Sequence, residues 1–498
     1  MGLWVVSKKK FDVARLKFLL ENRLSSRFIA SAMAQEPDGR IRLEAILDSY
    51  ANGEKREGFV HWMQDFPIVK VLDVIRRGFN RTEEEFKEEL KNPTIRRVIM
   101  NAVRSLQKYG VGTPQNFVAP IMVVWNYTYR CNLRCRHCYQ NAGPLGSDSG
   151  SFPEMTTEQK LQFLEELAET DTPTIFFSGG EPLIARDFWD VAERAKERGF
   201  YISVASNGTL FTPEVAKRAA DIEMGYAAIS LDAADPEVHD TFRGIPGMWE
   251  RTVKGIRNLI DAGVITCISY TFTRQTAAQF PKLLKLREEL GAYKVIVYNY
   301  IPVGRGGFED DPTPEMREEL YRIMYDELEA GHHVVATTAP QFGAYCKRND
   351  SSSVIISHYC DAKAEELGVI ADVVGGCGAG RAYCAIQPEG RVTPCVYMPD
   401  LTVGNVLDEP FIKIWQESPV FLALRDRSDL EGACQDCEFK ALCGGCRARA
   451  YAYFDNLKGP DPGCINHASL YDEFMEGLRS GEDPATAAER ALRQSIPV

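Results

Sequence analysis

A chain of 498 residues with 45% hydrophobic and 26% charged residues has the composition of an ordinary globular protein and the length of about three domains. Its formal charge of −12 argues against the basic face that a nucleic-acid partner requires. No apolar run reaches the roughly 18–20 residues that span a bilayer. The opening Met1-Gly2-Leu3-Trp4-Val5-Val6-Ser7 has neither a signal peptide's long apolar region nor a Ser or Thr at the sixth position for myristoylation. A cytoplasmic protein without a transmembrane segment is expected, and there fourteen cysteines point to metal ligation rather than disulfides.

Residues 1–118 read as a helical N-terminal domain. Leu16, Leu19, Leu20, Leu24 and Phe28 recur at helical spacing, as do Leu43, Ile46, Leu47 and Tyr50 before a stop at Gly53. Thr82 and Glu85 make a capping box, and Ile95, Val98, Ile99, Ala102 and Leu106 carry a last apolar face ending at Gly110. No cluster of His, Cys or carboxylates gives this region a chemical role. Over residues 119–335 strands and helices alternate. Strands are expected at 121–126, 174–178, 201–206, 226–231, 266–272 and 294–300. Helices are expected near 156–169, 186–198, 212–221, 248–261, 277–290 and 314–330, the last opening with Pro314 after Thr313. Six strand–helix units imply a parallel sheet with right-handed crossovers. The fold class is α/β, a partial (β/α)6 TIM-like barrel open on one side, whose chemistry belongs at the C-terminal ends of its strands.

Just past the first strand lies Cys131-x3-Cys135-x2-Cys138-Tyr139. Three thiolates on a four-iron cubane leave one iron without a protein ligand, and an open metal position is where a small molecule chelates. A zinc site or three buried structural thiols would use the same residues. Ser178-Gly179-Gly180-Glu181-Pro182 ends the second strand, where glycines permit close backbone approach to a ligand or serve an ordinary turn. Ser206-Asn207-Gly208-Thr209 ends the third strand and Ser230-Leu231-Asp232 the fourth; Arg243 follows in the His239–Gly244 stretch. Each of these alone is equally a turn or a helix cap. The Gly- and Ser-rich segment 141–152 reads as a loop beside the site.

Residues 336–370 read as a connecting segment. The neighbouring His332 and His333 would face opposite sides of a strand, so no shared metal is expected of them. Residues 371–470 carry eight further cysteines, Cys377-x6-Cys384-x10-Cys395 and then Cys434-x2-Cys437-x5-Cys443-x2-Cys446-x17-Cys464. Eight thiolates are the count for two fully ligated cubanes, while paired CxxC units are also a zinc-ribbon signature. Cys267 reads as core, Cys346 and Cys360 have no assigned role, and residues 471–498 form a helical tail.

The triplet with its following aromatic residue, Gly179-Gly180-Glu181-Pro182 one unit later and the C-terminal cysteine run together resemble the radical S-adenosylmethionine (SAM) family with a SPASM auxiliary-cluster domain. The likeness covers residues 120 to about 470. It implies an oxidoreductase or maturase in which the Cys131/Cys135/Cys138 cluster binds SAM at its open iron and cleaves it to a 5′-deoxyadenosyl radical. It implies SAM contacts from Tyr139, Gly179, Gly180, Glu181, Pro182, Ser206, Asn207, Ser230, Asp232 and Arg243, the last having a planar fork that can bond a carboxylate twice. It implies three [4Fe-4S] clusters. Cys377, Cys384, Cys395 and Cys446 would hold the first auxiliary cluster, and Cys434, Cys437, Cys443 and Cys464 the second. A low-potential electron donor of ferredoxin or flavodoxin type follows as a partner.

Two features depart from the family pattern. Two residues separate Cys443 from Cys446 where the pattern has three, and Val396 follows Cys395 where sulfatase-maturating members carry a proton-accepting Asp. The stretches Gly378–Cys384 and Cys443–Ala450 look most like maturases of haem and haem d1 biosynthesis, while peptide-modifying members share the framework. The expected substrate is therefore large, a tetrapyrrole or a peptide. A lipid is an alternative substrate, and an iron–sulfur electron-transfer or zinc-binding scaffold is the non-enzymatic alternative.

Overall fold

The computed structural model describes residues 23–54, 65–66, 68–70, 72–73, 76–77, 81–144, 146–147, 153–332, 334–349, 354–356, 359–361 and 375–495. Leu16, Leu19, Leu20, His333, residues 148–152 and the Cys360 side chain lie outside the described residues. Six parallel strands follow one another as β1 (Met122–Asn126), β2 (Thr174–Ser178), β3 (Tyr201–Ser206), β4 (Tyr226–Ser230), β5 (Thr266–Phe272) and β6 (Lys294–Asn299), each paired to the next. They are rich in aliphatic and aromatic residues and buried on both faces, as helix-covered parallel strands must be.

The connecting helices start where their caps place them. Thr156 and Gln159 form a capping box at the helix Thr157–Ala168. Thr212, Asp235 and Thr313 each cap a helix whose first turn carries a proline. The apolar faces of these helices close over the outward residues of the strands, giving one core that includes Trp125, Phe177, Phe188, Ile229, Leu259 and Met324.

The sheet runs past the six expected strands. β7 (Val334–Thr337) adds parallel to β6. On the opposite flank β8 (Tyr383–Ile386) pairs parallel with β1, placing Val123 beside Cys384. Antiparallel β9 (Arg391–Thr393) and β10 (Gly404–Asn405) follow. The order is β10-β9-β8-β1-β2-β3-β4-β5-β6-β7, so among the described residues the sheet has two edges and does not close. The outward residues Cys384 and Ile386 of β8 enter the barrel core with Phe411, Trp415 and Phe421. The cysteine-rich segment and the barrel therefore share one core.

At the N-terminal end, helices Arg42–Ala51, Glu83–Lys91 and Pro93–Tyr109 enclose a separate small core around Leu43, Leu47, Leu90 and Met100. The Thr82–Glu85 capping box forms. The Pro93–Tyr109 helix is fastened to the barrel by Arg97, whose guanidinium donates to the carbonyls of Thr172, Ala168 and Arg198 at 3.2, 3.3 and 2.8 Å. No helix among the described residues is long and apolar enough to cross a membrane.

Candidate active site

Cys131, Cys135 and Cys138 line one end of a cavity of about 710 Å³ that occupies the lumen of the sheet. The loop that carries them is fixed by its own backbone. Cys131 N donates to Gly143 O at 2.9 Å, Leu133 N to Cys131 Sγ at 3.4 Å and Ala142 N to Cys138 Sγ at 3.4 Å. Amides aimed at sulfur favour the thiolate form. Burial nevertheless pushes the Cys131 thiol up to about 12, so as a free group it keeps its proton, and ligation to a metal would displace it.

The second loop packs directly on the first. Gly180 N donates to Thr128 O at 2.7 Å and Glu181 N to Arg130 O at 2.9 Å. A Cβ on Gly180 would lie 2.2 Å from Arg130 O, and Gly179 adopts φ +110°. Both glycines line the cavity, so they satisfy a turn, a close backbone contact and an open wall together. Ser206, Asn207 and Ser230 line it as well. Asn207 Nδ2 reaches back to Asn132 Oδ1 at 2.7 Å, tying the end of β3 to the cysteine loop.

Three residues expected to face SAM turn their side chains elsewhere. Glu181 is wholly buried behind the wall, where its carboxylate accepts from Ser206 Oγ at 2.9 and 3.0 Å and from Asn207 N at 2.8 Å. Burial outweighs those bonds and pushes its carboxyl up to about 7. Pro182 is buried at the start of a short 3-10 turn. Asp232 accepts from Arg243 Nε at 2.6 Å and from Thr271 N at 2.8 Å. These carboxylates are occupied by donors from their own wall and therefore position it instead of lining it. Arg243 does line the cavity, with Nη1 3.6 Å from Cys135 Sγ, and its pairing with buried Asp232 leaves no buried charge uncompensated.

Two further groups complete this end. Arg305 lines the cavity and donates to Cys135 O at 3.0 Å and Ala142 O at 2.7 Å, clamping both sides of the cysteine loop after β6. His137 stacks on Phe242 with ring centroids 4.1 Å apart. Burial, with Arg243 and Arg305 nearby, holds His137 well below the usual imidazole range, so it is neutral. Neither residue was marked by periodicity, because each acts through a contact distant in sequence. His137 lies inside the Cys131–Cys138 stretch, and Arg305 lies in the loop after β6.

Farther in, the lumen is lined by Val124, Phe176, Cys267, Ile296, Tyr298 and Tyr397. Cys267 is fully buried there. Tyr139 Oη bonds Asn126 Oδ1 and Ser178 Oγ, both at 2.9 Å, and its ring lies 5.3 Å from that of Tyr397. Val396 also faces this space, an apolar residue with no proton to take up.

A second, smaller cavity adjoins the lumen. Cys377, Cys395 and Cys446 line it, and Tyr383 Oη lies 2.8 Å from Cys395 Sγ. Cys384, expected as the fourth thiolate, is not with them. It occupies the outward face of β8 in the barrel core, because neighbouring residues of a strand point to opposite faces.

Cys434, Cys437, Cys443 and Cys464 form the other group. Burial raises the Cys443 thiol and so do the adjacent Cys464 and Cys434 thiols; burial carries Cys464 up to about 12, with Cys434 and Cys437 beside it. Arg447 stands next to this group. Its Nη1 donates to Leu457 O and Gly459 O at 3.1 and 2.8 Å, while its buried Nη2 finds no partner among the described atoms. A buried cationic donor left over beside four thiols fits an anionic thiolate-bound cluster. The Cys446 backbone is held by Asp461, which accepts Cys446 N at 2.6 Å and pairs with Arg449 at 3.1 Å, both side chains being fully buried. None of the described cysteines forms a disulfide. Among the described residues no three His, Cys, Asp or Glu side chains close on one point as a single metal ion requires.

Comparison with known proteins agrees with this geometry. The radical SAM superfamily pattern matches residues 125–287, and that of the SPASM iron-sulfur cluster-binding domain matches residues 377–438. The AdoMet-dependent heme synthase of Methanosarcina barkeri is 34% identical over 356 residues, which are 70% of this chain and 97% of that protein. The mycofactocin maturase MftC of Mycolicibacterium smegmatis is 33% identical over 353 residues, 70% of this chain and 83% of that one. Among solved structures, Streptococcus suis SuiB bound to S-adenosylmethionine superposes with a TM-score of 0.60 at 16% identity, covering 84% of this chain and 91% of that one; at such identity the likeness is one of fold. A non-enzymatic scaffold does not account for relatives that are named enzymes along nearly their whole length. The chain is an enzyme of the radical SAM superfamily, in the branch that carries a SPASM iron-sulfur cluster-binding domain.

Proposed function

We propose that this enzyme binds SAM at a cluster held by Cys131, Cys135 and Cys138 and removes hydrogen from a C–H bond of a large substrate, a tetrapyrrole or a peptide. The observation that carries the reading is convergence: the three thiols, the glycine pair, Ser206, Asn207, Ser230 and Arg243 all line one end of a single lumen. In this reading residues 119–335 generate the radical and residues 371–470 hold two auxiliary clusters, for three in all. When bound, the clusters and SAM supply a 5′-deoxyadenosyl radical and a route for the electron left on the substrate.

The protein's own residues orient and shield. Asp232 holds the Arg243 guanidinium beside Cys135, where it would attract the carboxylate of SAM. Gly179 and Gly180 keep the wall thin enough for the methionine portion to approach, and Ser230 offers a hydroxyl for a ribose, while Ser206 and Asn207 hold Glu181 and the cysteine loop in place. The apolar side chains of Val124, Phe176 and Ile296 beyond them keep water away from the reacting carbon. Relatives named for making heme and for maturing mycofactocin support a large substrate. A ferredoxin- or flavodoxin-type donor would reduce the clusters, and the lack of a disulfide among the described cysteines supports a cytoplasmic setting.

The substrate class is tested by isotope transfer. Reduced, anaerobic enzyme is given SAM with a deuterated tetrapyrrole or, separately, a deuterated peptide, and the 5′-deoxyadenosine is weighed by mass spectrometry. Deuterium is expected from one of the two. Transfer from neither contradicts the proposal.

A further inference from the structure

The two auxiliary cysteine groups touch through their backbones. Cys377 N donates to Cys443 O at 3.2 Å, so one residue of the first group is bonded to one residue of the second. A single side chain is wedged into that contact. Arg427 follows the helix Pro419–Arg425 and turns inward, leaving only 9% of the residue exposed. Its Nη2 donates to Cys377 O at 3.0 Å, and its Nη1 to Ala441 O and to Lys440 O, the latter at 3.3 Å. One guanidinium thus holds the Cys377 segment and the loop that leads into Cys443. Both segments carry glycine where they cross it. A Cβ on Gly376 would lie 2.9 Å from Arg427 Nη1, and one on Gly444 2.7 Å from Arg427 Nε.

The hydrogen bonds of Arg427 are met, but its charge is not. The buried Arg243, Arg317 and Arg449 pair with Asp232, Asp311 and Asp461. Among the described residues no carboxylate pairs with Arg427, and its partners are neutral carbonyls. A buried cation without a counter-ion is costly. Burial holds this guanidinium below the usual arginine range, while the Cys377 and Cys443 thiols beside it act the other way. A thiolate-bound cubane is the anion that fits, and its reduction adds a further negative charge. We propose that Arg427 is the shared counter-charge of the two auxiliary clusters and a positioning residue that raises the reduction potential of both. The inference rests on the cluster assignment made above and adds the residue that sets the potentials. An electron on either cluster is stabilised by the same guanidinium, which itself changes no bond.

The test reads potentials and needs neither SAM nor substrate. Full-length protein with Cys131, Cys135 and Cys138 all changed to Ala is reconstituted anaerobically, leaving the auxiliary clusters alone at about eight irons per chain. Its electron paramagnetic resonance signals are followed through a redox titration, with Arg427 intact and with Arg427→Gln or Arg427→Lys added. Arg427→Gln keeps a hydrogen-bond donor and removes the charge. Its iron should be unchanged, and both signals should titrate lower, each by about tenfold in the reduction equilibrium, or about 59 mV for one electron. Arg427→Lys keeps the charge and should bring both potentials most of the way back to the parent values. A shift of one signal alone, or of neither, overturns the proposal. An equal fall in Arg427→Lys overturns it too, since geometry and not charge would then be the cause. Loss of iron from Arg427→Gln likewise overturns it, by making the residue a prop for the cysteine loops. A parent without auxiliary iron would overturn the cluster assignment and this proposal together, whereas full iron with unmoved potentials would overturn this proposal alone.

Discussion

The lumen and the smaller cavity that adjoins it carry cysteines assembled in opposite ways. Cys131, Cys135 and Cys138 come from a single loop, residues 131–138, held by amides of the same loop and by one arginine clamp. Cys377, Cys395 and Cys446 come from three separated segments, brought together by the β8–β9 hairpin and by the start of the helix Arg447–Phe454. A local set is defined by its own turn, so its spacing alone names the ligands. A dispersed set depends on which face of a strand each residue takes, and register decides that. Cys384 shows the consequence: correct in spacing, it stands on the wrong face.

If the dispersed set depends on long-range ties, breaking one should damage it more than the local set. Asp461→Ala leaves the buried Arg449 guanidinium uncompensated and the Cys446 amide without its acceptor. We expect a loss of about 3–5 kcal/mol in anaerobic denaturant unfolding. Iron analysis should show auxiliary iron falling further than the iron of the triplet.

The local end has its own dependence on pH. The Glu181 carboxyl is raised by burial to about 7 in the folded protein from an ordinary value of 4.5, so the folded state binds that proton more tightly than the unfolded state. Its stabilising contribution is complete below pH 4.5 and is lost as pH rises through about 7, a difference of about 3 kcal/mol. Glu181→Gln retains an acceptor for Ser206 and Asn207 but cannot ionise. Unfolding midpoints between pH 5 and 8 should therefore change less in this variant than in the parent; an equal slope would place the titration elsewhere.

A smaller effect is expected at Arg243. Arg243→Lys keeps the charge and loses the fork that meets Asp232 with two nitrogens. SAM affinity, measured by equilibrium dialysis, should fall about tenfold, or about 1.4 kcal/mol, with triplet iron unchanged. Loss of that iron instead would make Arg243 a structural support of the loop.

The barrel was readable because its signals are local. Strands expected at 174–178, 201–206 and 266–272 appear with those limits, since buried apolar runs between proline-led, capped helices leave little choice. β8 was not readable. Tyr383–Ile386 is four residues long in a run of Gly and Cys that resembles a loop, and it becomes a strand by pairing with β1 and β9. At the site, the residues lining the cavity were legible from motif position, while the direction of the Glu181 and Asp232 side chains was not. Their orientation follows from donors on neighbouring strand ends, Asn207 and Thr271. Arg305 and Asp461 escaped notice for the same reason, as their partners lie far away in the chain.

The central claim is that the local cysteine set generates the radical, and SAM cleavage tests it most directly. Anaerobic protein, reduced with dithionite and given SAM, should release 5′-deoxyadenosine measurable by chromatography even without substrate. Cys135→Ala should abolish that release while the auxiliary clusters remain. Continued release from Cys135→Ala at the parent rate, or none from the fully loaded parent, would contradict the account.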